Sequence, residues 1–306
     1  MTRTDAFLSQ LSQGQVFLAD GATGTMLQSM GLEPGRAPEA WLLEHPDKVR
    51  ALHQMYLDAG SDLLLTNTFG GTRFRLKREG LQDRVTEIGR RAAELAREVA
   101  ANRAYVVGDM GPTGQLLAPL GAVTAEEVSQ AFAEQAKGLA EGGADFLLVE
   151  TMSDLGEARA ALEGARRVTN LPIFCTFSFD TRGRTMMGVR PKQVALEFGR
   201  LVTGVGANCG RDPAEYPGFL EEMAQAAPGA FLWAKPNAGL PRLGDDGLVV
   251  YDTEPELLAA LTPQLIAAGA RIVGGCCGTS PRHIAAMAEA LRSLAPGAPE
   301  RTTQAP

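Results

Sequence analysis

Eight short apolar runs, each followed by a stretch of helical periodicity, constrain this 306-residue chain more than any other feature. The runs are Val16–Asp20, Asp62–Thr68, Tyr105–Met110, Phe146–Thr151, Pro172–Phe179, Val205–Cys209, Phe231–Asn237 and Arg271–Cys277. Their apolar, β-branched and aromatic residues suit buried strands. Between them lie amphipathic stretches such as Asp47–Ala59, Arg84–Ala101, Ala125–Glu141 and Leu155–Val168. Strands that alternate with helices pair in parallel, and eight such units close into an α/β barrel of the (β/α)8 type rather than an open sheet. A repeated turn supports this. Asp58-Ala59-Gly60, Glu141-Gly142-Gly143 and Ala267-Ala268-Gly269 each end a helix just before a strand, with glycine where a left-handed C-cap residue is needed. The barrel is expected over residues 1–294, and Ala295–Pro306, rich in Pro, Ala and Thr, is expected to be a disordered tail.

In such a barrel the loops after the strands build the active site. Here those loops hold the unusual residues: Asp20-Gly21-Ala22-Thr23-Gly24-Thr25, Thr66-Asn67-Thr68-Phe69, Gly111-Pro112-Thr113-Gly114, Glu150-Thr151, Asn208-Cys209, Lys235-Pro236-Asn237 and Gly274-Gly275-Cys276-Cys277-Gly278-Thr279. The first lacks the lysine of a phosphate-binding P-loop. Adjacent side chains of a regular strand point to opposite faces, so Cys276 and Cys277 can share a site only where the backbone leaves the extended form. Gly274, Gly275 and Gly278 permit that. Together with Cys209, three thiolates would make an open zinc site with one vacant position. The same residues also allow two buried free thiols beside a glycine turn, or a vicinal disulfide. Asp20 and Glu150, at the mouths of strands 1 and 4, read as an acid/base pair, as a cradle for an ammonium group, or as helix caps. His45, His53 and His283 read as solvated or capping residues, and Cys175 as core.

A net charge of −7 without a basic stripe argues against a nucleic-acid partner. No apolar run approaches the ~20 residues of a membrane span, and Met1–Gln15 lacks the apolar centre of a signal peptide. Four cysteines in so long a chain are no disulfide framework, so a reducing compartment, the cytoplasm, is expected.

The ordered set of strand-end motifs resembles the zinc-dependent homocysteine S-methyltransferase family over roughly Phe7 to Leu294. It is most similar to the homocysteine-binding module of cobalamin-dependent methionine synthase. That resemblance implies methyl transfer to the thiol of homocysteine, giving methionine. It implies zinc held by Cys209, Cys276 and Cys277, with the amide oxygen of Asn237 filling the fourth position when substrate is absent. It implies Asp20 and Glu150 at the substrate ammonium, the backbone of Gly21 and Ala22 at its carboxylate, and Asn67 among the substrate-binding residues. Thr151 stands where betaine-using relatives carry tyrosine, and Thr66-Asn67-Thr68-Phe69 is absent from relatives using S-methylmethionine or S-adenosylmethionine. Both point to methylcobalamin as the external donor. The chain carries no Asp-x-His-x-x-Gly corrinoid motif and no second barrel, so a separate corrinoid protein or free cofactor is the expected partner. It would dock on the loops Phe69–Gln82, Gly111–Thr124 and Asp180–Pro191, with Leu116, Leu117, Met186 and Met187 exposed. The family also contains enzymes for other donors, other thiols and corrinoid-dependent demethylation.

Overall fold

The computed structural model describes residues 1–243, 249–251 and 253–294. The expected tail, 295–306, lies outside the described residues. Eight parallel strands among them make one ring: β1 (Phe17–Leu18), β2 (Leu63–Leu65), β3 (Tyr105–Met110), β4 (Phe146–Met152), β5 (Ile173–Phe177), β6 (Gly204–Cys209), β7 (Phe231–Pro236) and β8 (Ala270–Val273). Neighbours in sequence are neighbours in the sheet, β8 pairs with β1, and a bridge between Ala19 and Leu63 joins β1 to β2. Helices Pro46–Asp58, Val85–Ala100, Ala125–Glu141, Leu155–Arg166, Pro191–Phe198, Tyr216–Ala226, Pro255–Ala267 and Pro281–Leu294 follow the strands in turn. This is the expected (β/α)8 barrel. Gly60, Gly143 and Gly269 take the left-handed conformation at φ +101°, +92° and +106°, which supplies the helix-to-strand turn without the Cβ penalty.

Several strands are shorter than their apolar runs. The strand in Arg271–Cys277 ends at Val273, with Gly274 N–H and Cys276 N–H still donating to β7, and that in Asp62–Thr68 ends at Leu65, beyond which the hydroxyls of Thr66 and Thr68 bond each other at 2.6 Å. Side chains that build loops stop repeating the strand, and the ladder ends with them.

One feature of the fold carried no strand signal. Helix Arg3–Ser12, opened by a capping box between Thr2 and Asp5, closes the bottom of the barrel. Its Phe7 stacks on Phe146 with centroids 4.4 Å apart and lies 4.8 Å from Phe17. Phe7 and Leu11 share a buried cluster with the interior residues Ala19, Leu65, Tyr105, Val107, Leu148, Phe174, Trp233 and Ile272. The inside of the barrel is therefore a packed core up to that level, and any ligand site must lie above it.

His53 corrects the reading of solvated histidines. It lies in the buried stripe of Pro46–Asp58 with Val49, Leu52, Tyr56 and Leu57, and neither ring nitrogen has a partner among the described residues. Burial pushes its pKa down to about 4. His283 is a capping residue as expected, its Nδ1 accepting from the Ser280 N–H at 3.1 Å. Because the folded-state pKa of His53 lies below the unfolded value of about 6.5, its contribution is fully present above pH ~6.5 and lost as pH falls toward ~4. At ~1.4 kcal/mol per pKa unit, His53→Leu is expected to flatten the acid limb of stability by about 3 kcal/mol in denaturant titrations at pH 7 and pH 4. An unchanged slope would place the ring in water.

Candidate active site

Three strands repeat one pattern, aromatic-x-apolar-x-charged: Tyr105-x-Val107-x-Asp109, Phe146-x-Leu148-x-Glu150 and Phe231-x-Trp233-x-Lys235. Alternate residues of a strand face the same way, so each strand turns its aromatic and apolar residues inside, Phe231 at the half-buried rim, and carries a charge above them. Asp109, Glu150 and Lys235 all line one cavity of about 400 Å³ at the C-terminal mouth. Lys235 Nζ donates to Glu150 Oε2 at 2.8 Å, with both side chains buried. Burial alone would lower the lysine pKa, but the negative charges of Glu150, Cys276, Asp109 and Asp20 raise it instead.

The thiols meet on the same wall. Cys209 ends β6 in the left-handed region at φ +61°. Its carbonyl is held by Tyr216 Oη at 2.7 Å. Cys276 and Cys277 lie in the turn between β8 and helix Pro281–Leu294, where Cys276 N–H donates to Pro236 O at 2.8 Å and Ala238 N–H to Cys277 O at 2.9 Å. Gly278 supplies the expected positive φ, +77°. Gly275 serves differently: a Cβ there would collide with the Thr279 side chain. Thr279 Oγ1 in turn donates to Cys276 O at 2.7 Å and accepts from Ala22 N–H at 3.0 Å. The three sulfurs lie within 4.8 Å of one another, and none forms a disulfide. Cys175 is fully buried in the outer core, away from them.

Asn208 ties these parts together. Its Oδ1 accepts from Thr151 N–H at 2.8 Å and from Thr176 Oγ1 at 2.7 Å. Its Nδ2 donates to Thr151 Oγ1 at 2.6 Å and approaches Cys276 Sγ at 3.8 Å and Glu150 Oε2 at 3.4 Å. Thr151, like Cys209, is left-handed, at φ +61°. Two non-glycine residues in that region at one mouth mark a backbone held by its surroundings.

The structure sorts the other expected site residues. Gly21, Ala22, Asn67, Glu150, Thr151 and the three cysteines line the cavity. The Asn67 amide donates to Pro38 O at 2.8 Å, fastening the segment before β2 over the cavity. Asp20 stands behind the wall: its Oδ2 accepts from Leu65 N–H at 2.8 Å, and its Oδ1 is buried without a partner among the described residues. Burial raises its pKa to about 7. Asp109, Lys235 and Asn208 carried no assigned role, although the period-two pattern could have found the first two. Of the loop residues expected to be exposed, Leu116, Met186 and Met187 are, whereas Leu117 packs on the core. Phe69–Gln82 holds short helices, Arg73–Leu76 and Lys77–Glu79, rather than an open loop.

The donor set fits zinc. The hydrogen bond with Cys276 lowers the Cys209 pKa, but the contact with Cys277 and then burial outweigh it and push the thiol up to about 12. Thiols this crowded ionise together only opposite a cation, and soft convergent sulfurs are what zinc takes. Asn237 Oδ1 is buried with no partner among the described residues, while its Nδ2 is fixed on Gly210 O at 2.8 Å.

A barrel whose C-terminal mouth gathers three convergent thiols beside a buried charge cluster has the donor set of a metal-thiolate site. Residues 17–291 match the homocysteine S-methyltransferase family, and the chain belongs to it. The methionine synthase of Mycobacterium leprae is 36% identical over 305 residues, covering 93% of this chain and 25% of that protein. The methionine synthase of Mycobacterium tuberculosis is 35% identical over 314 residues, covering 94% and 25%. The chain thus spans about a quarter of the length of these relatives. The homocysteine methyltransferase MmuM of Escherichia coli, solved in oxidised and metallated forms, superposes with a TM-score of 0.77 at 25% identity, covering 94% of this chain and 99% of that one. Among the described residues no helix is long and apolar enough to cross a membrane.

Proposed function

We propose that this chain transfers a methyl group to the sulfur of homocysteine, giving methionine, and that the methyl group arrives on a corrinoid held outside this barrel. The observation that carries the reading is the convergence of Cys209, Cys276 and Cys277 on a cavity that also presents buried carboxylates. Cys209, Cys276, Cys277 and Asn237 Oδ1 would hold zinc. When bound, zinc lowers the pKa of a ligating thiol so that it reacts as thiolate at neutral pH, whereas a free thiol titrates near 8.5.

The chain's own residues do the rest. Glu150, fixed by Lys235 and Asn208, faces the substrate ammonium. The turn at Gly21 and Ala22 borders the place for the carboxylate. The substrate thiol gives up its proton, its sulfur forms the new bond to the methyl carbon, and the donor leaves with the electron pair of the broken bond.

The donor assignment has two supports. A quaternary ammonium donor favours an aromatic cage, but among the described residues Phe69 is the only aromatic residue on the cavity wall. The loops around the mouth expose Leu116, Leu120 and Met186, apolar contacts suited to a large, partly apolar donor. The four thiols are unpaired, as a reducing cytoplasm would leave them. Methionine formation from homocysteine with methylcobalamin, betaine, S-methylmethionine or S-adenosylmethionine tests the donor. Methylcobalamin is expected to support turnover and betaine is not; turnover with any of the other donors and none with methylcobalamin would overturn the corrinoid reading.

A further inference from the structure

We propose that Asp109 is the carboxylate that selects the substrate's ammonium group, an inference that rests on the homocysteine reading above. Asp109 lines the cavity, is 5% exposed, and its Oδ1 is buried with no hydrogen-bond partner among the described residues. The backbone that carries it is fastened on both sides. Asp109 N–H donates to Thr66 Oγ1 at 3.0 Å, and Asp109 O accepts from Thr68 Oγ1 at 2.7 Å and Gln135 Nε2 at 3.1 Å. The end of β3 is therefore held in place at the cavity wall, and the Asp109 carboxyl with it at that level of the barrel.

The other carboxylates near it are already engaged. Glu150 forms a neutral pair with Lys235. Asp20 accepts from Leu65 N–H behind the wall. Farther out, Glu39 accepts from Gly70 N–H and Glu79 pairs with Arg36. Among the described residues, Asp109 is left as the acid on the cavity wall with a buried carboxylate oxygen that no donor answers. Burial, and then the negative charge of Glu150, push its pKa well up. Leaving such a group unpaired is costly, and a ligand that brings its own cation removes the cost. A thiol with an ammonium group at homocysteine's position gains this; the same thiol without one does not. Glu150 then orients the ammonium while Asp109 distinguishes its presence from its absence.

The test is calorimetric binding of L-homocysteine and of 4-mercaptobutanoate, which lacks only the amine, to zinc-loaded wild type and Asp109→Asn. The substitution keeps the shape of the side chain and removes its charge. Wild type is expected to prefer homocysteine. Asp109→Asn should lose about 10- to 100-fold in homocysteine affinity, the range of a charge-assisted hydrogen bond, and less than about 3-fold for 4-mercaptobutanoate, which makes no such bond. Unchanged homocysteine affinity in Asp109→Asn overturns the inference and leaves the homocysteine reading standing. Equal losses for both thiols also overturn it, because they show a collapsed pocket rather than a lost charge contact. Wild type that binds neither thiol refutes the homocysteine reading, and this inference with it.

Discussion

Cys276→Ser and Cys209→Ser are each expected to purify with far less than one zinc per chain and to form methionine at a small fraction of the wild-type rate. Both sulfurs belong to the group lying within 4.8 Å of one another. A tetrahedral site yields about 10–16 kcal/mol across its ligands, so losing one thiolate costs on the order of 3 kcal/mol or more in metal affinity. Serine cannot replace it, because its hydroxyl stays protonated where a thiol ionises. Cys175→Ser should keep its zinc, since that side chain is buried in the outer core; its cost is the ~1–3 kcal/mol of placing an unpartnered hydroxyl there. Metal analysis after dialysis against a weak chelator distinguishes the three variants. Full occupancy in either Cys276→Ser or Cys209→Ser would remove that residue from the ligand set.

Lys235→Met is expected to destabilise the barrel by about 3–5 kcal/mol, the usual cost of leaving one partner of a buried ion pair alone. Its ammonium answers Glu150 at 2.8 Å and lies in the field of Asp109 and Asp20. Without it three buried carboxylates face one another with no lysine between them. The double variant Lys235→Met, Glu150→Gln should recover part of the loss, because removing both charges removes the uncompensated one. Urea unfolding midpoints measure both effects. A loss below ~1 kcal/mol for Lys235→Met would be the value for a solvated surface pair and would contradict the buried cluster.

The barrel was legible because its strands and helices repeat one unit, and each unit carries its own stop signals, such as Gly60, Gly143 and Gly269. The convergence of the three thiols was legible because Cys209 and the pair Cys276-Cys277 stand at strand ends beside glycines. The bottom plug was not, since nothing in the polar stretch around Phe7 and Leu11 says what a short amphipathic helix will cover. His53 was misread because one polar residue on a buried stripe looks like part of a solvated face. Asp20 and Glu150 share a position at strand ends, yet only Glu150 lines the cavity: the Asp20 carboxylate turns back to the Leu65 N–H of the neighbouring strand. Asp109 and Lys235 were there to be found, two residues beyond Val107 and Trp233. Asn208 was not, because its bonds depend on the left-handed turns at Thr151 and Cys209, which the sequence does not announce at non-glycine positions.

The central claim, that this mouth takes the substrate thiol in its deprotonated form, is tested most directly by counting protons. Homocysteine and homoserine share the ammonium and carboxylate groups and differ only in thiol against hydroxyl. Calorimetric titration of zinc-loaded protein near pH 7, repeated in buffers of different ionisation enthalpy, gives the protons released by each at saturation. The expected result is about one more proton per chain for homocysteine than for homoserine, since a metal-ligating thiol binds deprotonated. Equal proton release from the two ligands would contradict it.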